Sequence, residues 1–282
     1  MSLSRYHLAT MEVKLQKPEL VRRPCFAGES YSADPAVLSG KIDKRIAATT
    51  RPTSVKGEIG AIVTSCTSES LYVAGELGAI RALNHKKYST VILVASAQQN
   101  FFDYNSVHLG GAYDTPLGRV FVDLPVAERM ANSHPRVVFA GTGHTGGKDA
   151  EYAIEMLLPF LQRLLGDFRI VPIIMGSEDE SNVVAVGEVL SAVVDPQRSL
   201  IVGCSELMFE SPIGAGKIES ITDAVGKLEW RTLYDRLRNA QLPSTAPLAA
   251  IAYAARRLKI KRAETLSDTS GEGTSLSVVM LQ

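Results

Sequence analysis

The feature that most constrains this chain is a series of short apolar, β-branched runs that return along its length, at residues 59–63, 90–95, 136–140, 170–175, 200–204 and 276–281. Each has the length of a strand. The apolar positions are consecutive rather than alternate, the mark of strands buried on both faces. Helical patterns separate several of them. The clearest sets Ala150, Ala153, Ile154, Leu157, Leu158, Leu161, Leu164 and Leu165 in one stripe, with Pro159 inside it as a point of kinking. Two more run over residues 229–240 and 247–258, the second with Leu248, Ile251, Ala252, Ala255 and Leu258 on one face, and both read as core packing. Strands alternating with helices predict an α/β fold, a single domain with a central, largely parallel or mixed sheet flanked by helices on both faces. Ligands then belong at the carboxyl ends of the strands. Residues 1–20 read as an N-terminal extension, 21–282 as the domain, and the polar stretch 259–274 as a surface loop before the last strand.

Charge narrows the partners. Thirty basic and thirty acidic side chains cancel, which removes the electrostatic case for nucleic acid or an anionic membrane surface. A small molecule or a protein is the expected partner, and a homo-oligomer is left open. No run approaches the length of a membrane span, and the first twenty residues lack the continuous apolar core of a signal peptide, so the expected location is cytoplasmic. The three cysteines, Cys25, Cys66 and Cys204, are odd in number and far apart. They predict reduced thiols and neither a disulfide framework nor a structural zinc site.

The common nucleophile, phosphate-loop and zinc-protease motifs are all missing from the chain. What remains is local. Residues 141–147, Gly-Thr-Gly-His-Thr-Gly-Gly, follow a strand, precede the strongest helix and formally satisfy G-x-G-x-x-G. Such a loop can hold an anion on its amides or serve as a flexible active-site loop. The next acidic residues at a strand end, Glu178 and Asp179, come too late for a dinucleotide site. His144 on this loop is a candidate general acid or base, against the blander reading of a solvated histidine. His7, His85, His108 and His134 show no ligand spacing. Cys66 follows the first strand within a run of hydroxyl residues and is a candidate nucleophile without an evident histidine partner. Other strand ends carry Ser96 and Gln98, and Ser205 and Glu206, while Asp114 and Thr115 lie just beyond a further segment. Brought together, these would line a polar pocket with one or two carboxylates.

Read in order, the pieces resemble the Memo family, whose fold is similar to that of the class III extradiol dioxygenases. Residues 21–35, Val-Arg-Arg-Pro-Cys-Phe-Ala-Gly-Glu-Ser-Tyr-Ser-Ala-Asp-Pro, resemble the family's V-R-x-P-x-x-A-G-x-x-Y-x-x-D-P opening. Residues 113–118 resemble its T-P-L-G segment, 151–160 its E-H-S-I-E-x-x-L-P-F segment, and Cys204-Ser205-Glu206 falls where the family has S-S-D. The resemblance implies a metal site of histidines and a cysteine. At those positions this chain has Ser65, Ala97, Tyr152, Phe209 and Pro243. No metal and no cofactor are therefore expected. Three readings follow. One is metal-independent acid–base or nucleophilic chemistry on a small molecule, with Cys66, His144, Glu155 and Glu206 as catalytic candidates and Ser65, Ser96, Gln98, Asp114, Thr115, Tyr152 and Ser205 lining the substrate. The second is a pseudoenzyme that binds a metabolite or a protein. The third is a phosphate-bearing cofactor on the glycine loop.

Overall fold

A strand whose every side chain is apolar must be covered on both sides, and the computed structural model satisfies that demand. Residues 20–48, 55, 57–65, 88–108, 110–146, 150–210, 215–270 and 273–282 are the ones the structure describes. In chain order they form β1 (Val21–Arg22), α1 (Pro35–Ala48), β2 (Ile59–Thr64), β3 (Thr90–Ser96), β4 (Asn105–Val107), β5 (Ala112–Thr115) and β6 (Gly118–Phe121). Next come α2 (Leu124–Ala131), β7 (Val137–Phe139), α3 (Ala153–Leu165), β8 (Arg169–Met175), α4 (Glu180–Val193) and β9 (Ser199–Cys204). The chain closes with β10 (Met208–Glu210), α5 (Ala215–Lys227), α6 (Trp230–Ala240), α7 (Ala246–Ala254), β11 (Arg262–Ser270) and β12 (Gly273–Leu281).

The main sheet has the order β10-β12-β2-β9-β3-β8-β4-β7, with β11 paired to β12. Its centre, β2-β9-β3-β8, is parallel, and every residue of β2, β3 and β9 is buried. Antiparallel strands close both sides, β12 against β2 and β4 against β8. The sheet is therefore mixed with a parallel heart, as the uninterrupted apolar runs require. A second sheet, β1-β5-β6, is tied to the first where Val122 bridges Ile170. Helix α3, with α1 behind it, packs on β3 and β5, and α7 packs on β2, β3 and β9 beside α4.

Helix α3 shows how the pattern produces the packing. Ile154, Leu158 and Leu161 recur at helical spacing and are fully buried, each contributing about 1.5–3 kcal/mol of apolar transfer. The helix runs on through Pro159, which is itself buried. Close approach also shapes α4. Its Gly187 faces Tyr253 of α7 so nearly that an added Cβ would stand 2.5 Å from the ring.

Two expectations need correction. Residues 262–270 and 273–274 are not a loop: β11 pairs antiparallel with β12 along its length, Arg262 facing Leu281 and Ser270 facing Gly273. Backbone pairing, rather than apolar content, holds this strand, and β12 is its one strand partner among the described residues. The helix expected over 247–258 ends at Ala254 and tightens into turns, with Ala255 N–H donating to Ala252 and Arg257 N–H to Ala254.

Candidate functional site

The parallel strands bring their carboxyl ends together, and four half-exposed or buried polar side chains join there. Gln98 follows β3, Glu206 follows β9, Tyr152 precedes α3 and Ser244 precedes α7. The Tyr152 hydroxyl donates to Glu206 Oε1 at 2.9 Å. Gln98 Nε2 donates to Ser244 Oγ at 2.8 Å and, at 3.5 Å, to the same Glu206 oxygen. Both bonds fall on Oε1, and Oε2 receives none among the described residues. Burial, then the charge of Glu206 and its hydrogen bond, push the Tyr152 phenol above its ordinary range. The proton stays on the tyrosine.

Two further carboxylates build this edge. Glu151, fully buried, accepts the backbone N–H groups of Gln98 and Gln99 at 2.9 and 3.0 Å, which fixes the chain where it leaves β3. Glu178 accepts from Ser96 Oγ at 2.5 Å and from the backbone N–H groups of Thr245 and Ala246 at 2.8 and 2.6 Å. It thereby caps α7 and holds the segment that carries Ser244. Neither carboxylate is bonded to a lysine or arginine side chain among the described residues. Sequence reasoning did not single out Ser244 or Glu151, because nothing local joins them to Gln98.

The other candidates are placed differently. Glu155 is buried and saturated: Arg22 Nη2, the N–H groups of Cys25 and Phe26, and the Tyr31 hydroxyl all donate to it. It clamps the N-terminal segment to α3. His144 is not a solvated loop residue but fully buried, with Nδ1 bonded to the Tyr113 hydroxyl at 2.7 Å and Nε2 to Ser106 at 3.1 Å. Burial, then neighbouring His108, hold its pKa well below the usual histidine range. His108 is likewise pushed down to about 4 by burial and then by the charge of Arg22. His134 lies 3.8 Å from Glu188.

Ser65 and Ser205 sit buried at the ends of β2 and β9, and Ser205 Oγ accepts the N–H of Leu248. Asp114 is away from this edge, paired with Arg119 across the β5–β6 hairpin at 2.7 Å, and Thr115 bonds Gln162 on α3. Cys66, His7 and His85 lie outside the described residues. Cys204 is disulfide-bonded, so the expectation of reduced thiols fails there, while Cys25 is a free thiol. The glycine loop turns on itself: the N–H groups of His144 and Thr145 both donate to the Gly141 carbonyl. The Gly143 carbonyl, at φ 77°, accepts from Arg22. Those two amides are committed within the loop, and α3 opens only at Ala153. A groove of about 1240 Å³ among the described residues lies at the opposite ends of the strands, around Thr90, Arg169 and Ser199. Its four arginines are matched by three aspartates.

The fold is a single mixed α/β domain with a polar edge at its parallel strand ends. The chain belongs to the Memo-like family, whose model matches residues 22–278. It is 28% identical over 260 residues to a MEMO1 family protein of Methanosarcina barkeri, covering 89% of this chain and 94% of that one. A second, from Methanothermobacter thermautotrophicus, is 26% identical over 275 residues, covering 91% and 98%. The match to a Methanosarcina acetivorans relative is stronger but shorter, 36% over 172 residues, spanning 57% of this chain and 62% of that protein's length. Among solved structures, an uncharacterized protein of Escherichia coli superposes with a TM-score of 0.52 at 12% identity, over 79% of this chain and 99% of that one. That likeness concerns the fold. No helix among the described residues is long and apolar enough to cross a membrane.

Proposed function

We propose that the chain binds a small polar molecule carrying an ammonium or hydroxyl donor at the carboxyl edge of its parallel strands. The carrying observation is Oε2 of Glu206, which accepts no hydrogen bond among the described residues while Tyr152 and Gln98 hold the carboxylate through Oε1. A carboxylate fixed on one oxygen and open on the other is a preorganised acceptor. Glu151 and Glu178 add two carboxyl groups bonded to no lysine or arginine side chain among the described residues, which favours a cationic group on the ligand.

The metal site implied by the family resemblance does not fit these residues. Ala97 and Phe209 are buried and carry no donor atom. Among the described residues no group of three or more histidine, cysteine, aspartate and glutamate side chains gathers.

A second reading makes Glu206 a general base on the bound molecule, using the same oxygen. His144 and Glu155 do not support it, because their polar atoms are committed elsewhere. A thermal-shift panel of amines, amino acids and polyols tests the binding reading. The expected result is a saturable shift with an amine or polyol, weakened about 10- to 100-fold by Glu206→Gln, the worth of one hydrogen bond to a charged group. Equal binding by wild type and E206Q would remove the proposal. Turnover of the bound compound, lost in E206Q, would select the catalytic reading.

A further inference from the structure

A cavity separate from the groove around Thr90 lies at the seam between α1 and α3. It has a volume of about 420 Å³, within the range of about 300–1,000 Å³ typical of small-ligand pockets. Its floor is the smaller of the two hydrophobic cores, where Leu38 and Ile42 of α1 meet Phe160 of α3 and the ring of Tyr31. Leu38 and Ile42 stand one turn apart on the same helix face. Lys41 and Lys44 stand exposed at the rim, and no carboxylate lines the cavity among the described residues. The nearest acid in sequence, Asp43, is taken by Arg163 at 2.7 Å. Neither lysine has an ion-pair partner among the described residues.

An apolar floor under a cationic rim is complementary to one kind of ligand. We propose that this cavity binds an anionic amphiphile, a medium-length hydrocarbon chain ending in a carboxylate. The chain would lie on Leu38, Ile42 and Phe160, and its carboxylate would meet Lys41 and Lys44, whose stems cover apolar surface while the ammonium groups stay in water. A purely apolar ligand would leave the two ammonium groups unused. A cationic one would be repelled by them.

Isothermal titration of the full chain with decanoate, below its micelle concentration, tests the assignment, with decanol and decyltrimethylammonium as comparisons. The expected result is one saturable site for decanoate, weaker binding of decanol and none of the cation. Lys41→Glu with Lys44→Glu should weaken decanoate roughly tenfold, since two attractive contacts become repulsive. Ala48→Trp, an exposed change at the mouth, should block binding without lowering the melting temperature. Glu206→Gln should leave decanoate binding unchanged, which separates this site from the strand-end site. Absence of saturable binding, equal binding of the cation, or undiminished binding in both the charge-reversed and the Ala48→Trp proteins would each overturn it.

Discussion

Replacing Glu155 with alanine should be among the most damaging single changes in the molecule. Its carboxylate is 1% exposed and faces Arg22, also 1% exposed, at 3.2 Å. It also receives the N–H groups of Cys25 and Phe26 and the hydroxyl of Tyr31, each at 2.8 Å to one oxygen. Alanine would leave a buried guanidinium without its counter-charge, which costs about 3–5 kcal/mol. Each orphaned neutral donor would cost about 1–3 kcal/mol if it found no water. These costs overlap, because the loosened segment lets water reach the donors, so the sum is about 3–5 kcal/mol rather than the total of the parts. Against the usual 5–15 kcal/mol for a folded domain, that is a large share. Glu155→Gln keeps the shape but not the charge and should lose about 2 kcal/mol. Urea unfolding followed by circular dichroism measures both, with an unchanged slope expected. Arg22→Met combined with Glu155→Met should cost less than the two single changes added together. A loss below about 1 kcal/mol for Glu155→Ala, or strict additivity in the double variant, would refute the clamp.

Three further outcomes follow from the same structure. His108 and His144 are neutral in the fold because their pKa values are depressed, His108 to about 4. The unfolded chain takes up protons first, so their contribution is intact above about pH 6.5 and is lost as pH falls toward 4, at about 1.4 kcal/mol per pH unit for each histidine. His108→Asn should flatten the pH dependence of urea stability in that window, and an unchanged slope would contradict the assignment. Gly187→Ala should cost about 1–3 kcal/mol, because the added Cβ meets the Tyr253 ring at 2.5 Å; Tyr253→Ala in the same chain should recover part of that loss in a thermal melt. Arg163→Ala should change stability by less than about 1 kcal/mol, since its partner Asp43 is about half exposed. A larger drop would show that α1 depends on that pair.

Much of the fold was legible in the sequence because burial on two faces leaves an unmistakable pattern. The expected runs at 90–95, 170–175 and 200–204 match β3, β8 and β9 to within a residue or so. Strand β11 escaped because a strand with one partner in the sheet can be polar, although the Gly271-Glu272 pair between Ser270 and Gly273 is a two-residue hairpin signal. The site was half legible. Gln98 and Glu206 stood out as polar residues at strand ends, and the structure bonds them to each other. Glu155 reads from sequence as a catalytic candidate, and its clamp contacts are not legible there because Arg22 and Tyr31 are 133 and 124 residues away. His144 looked solvated among glycines, yet the turn at Gly141 folds it inward against Tyr113. No spacing rule exposes contacts of that range.

The most direct measurement of the central claim is amide chemical-shift mapping of the full chain with the strongest amine or polyol from the thermal-shift panel. The account expects the largest shifts at Gln98, Tyr152, Glu206 and Ser244, and their collapse in Glu206→Gln. Shifts confined to the groove around Thr90 and Arg169, or equal shifts in both proteins, would contradict it.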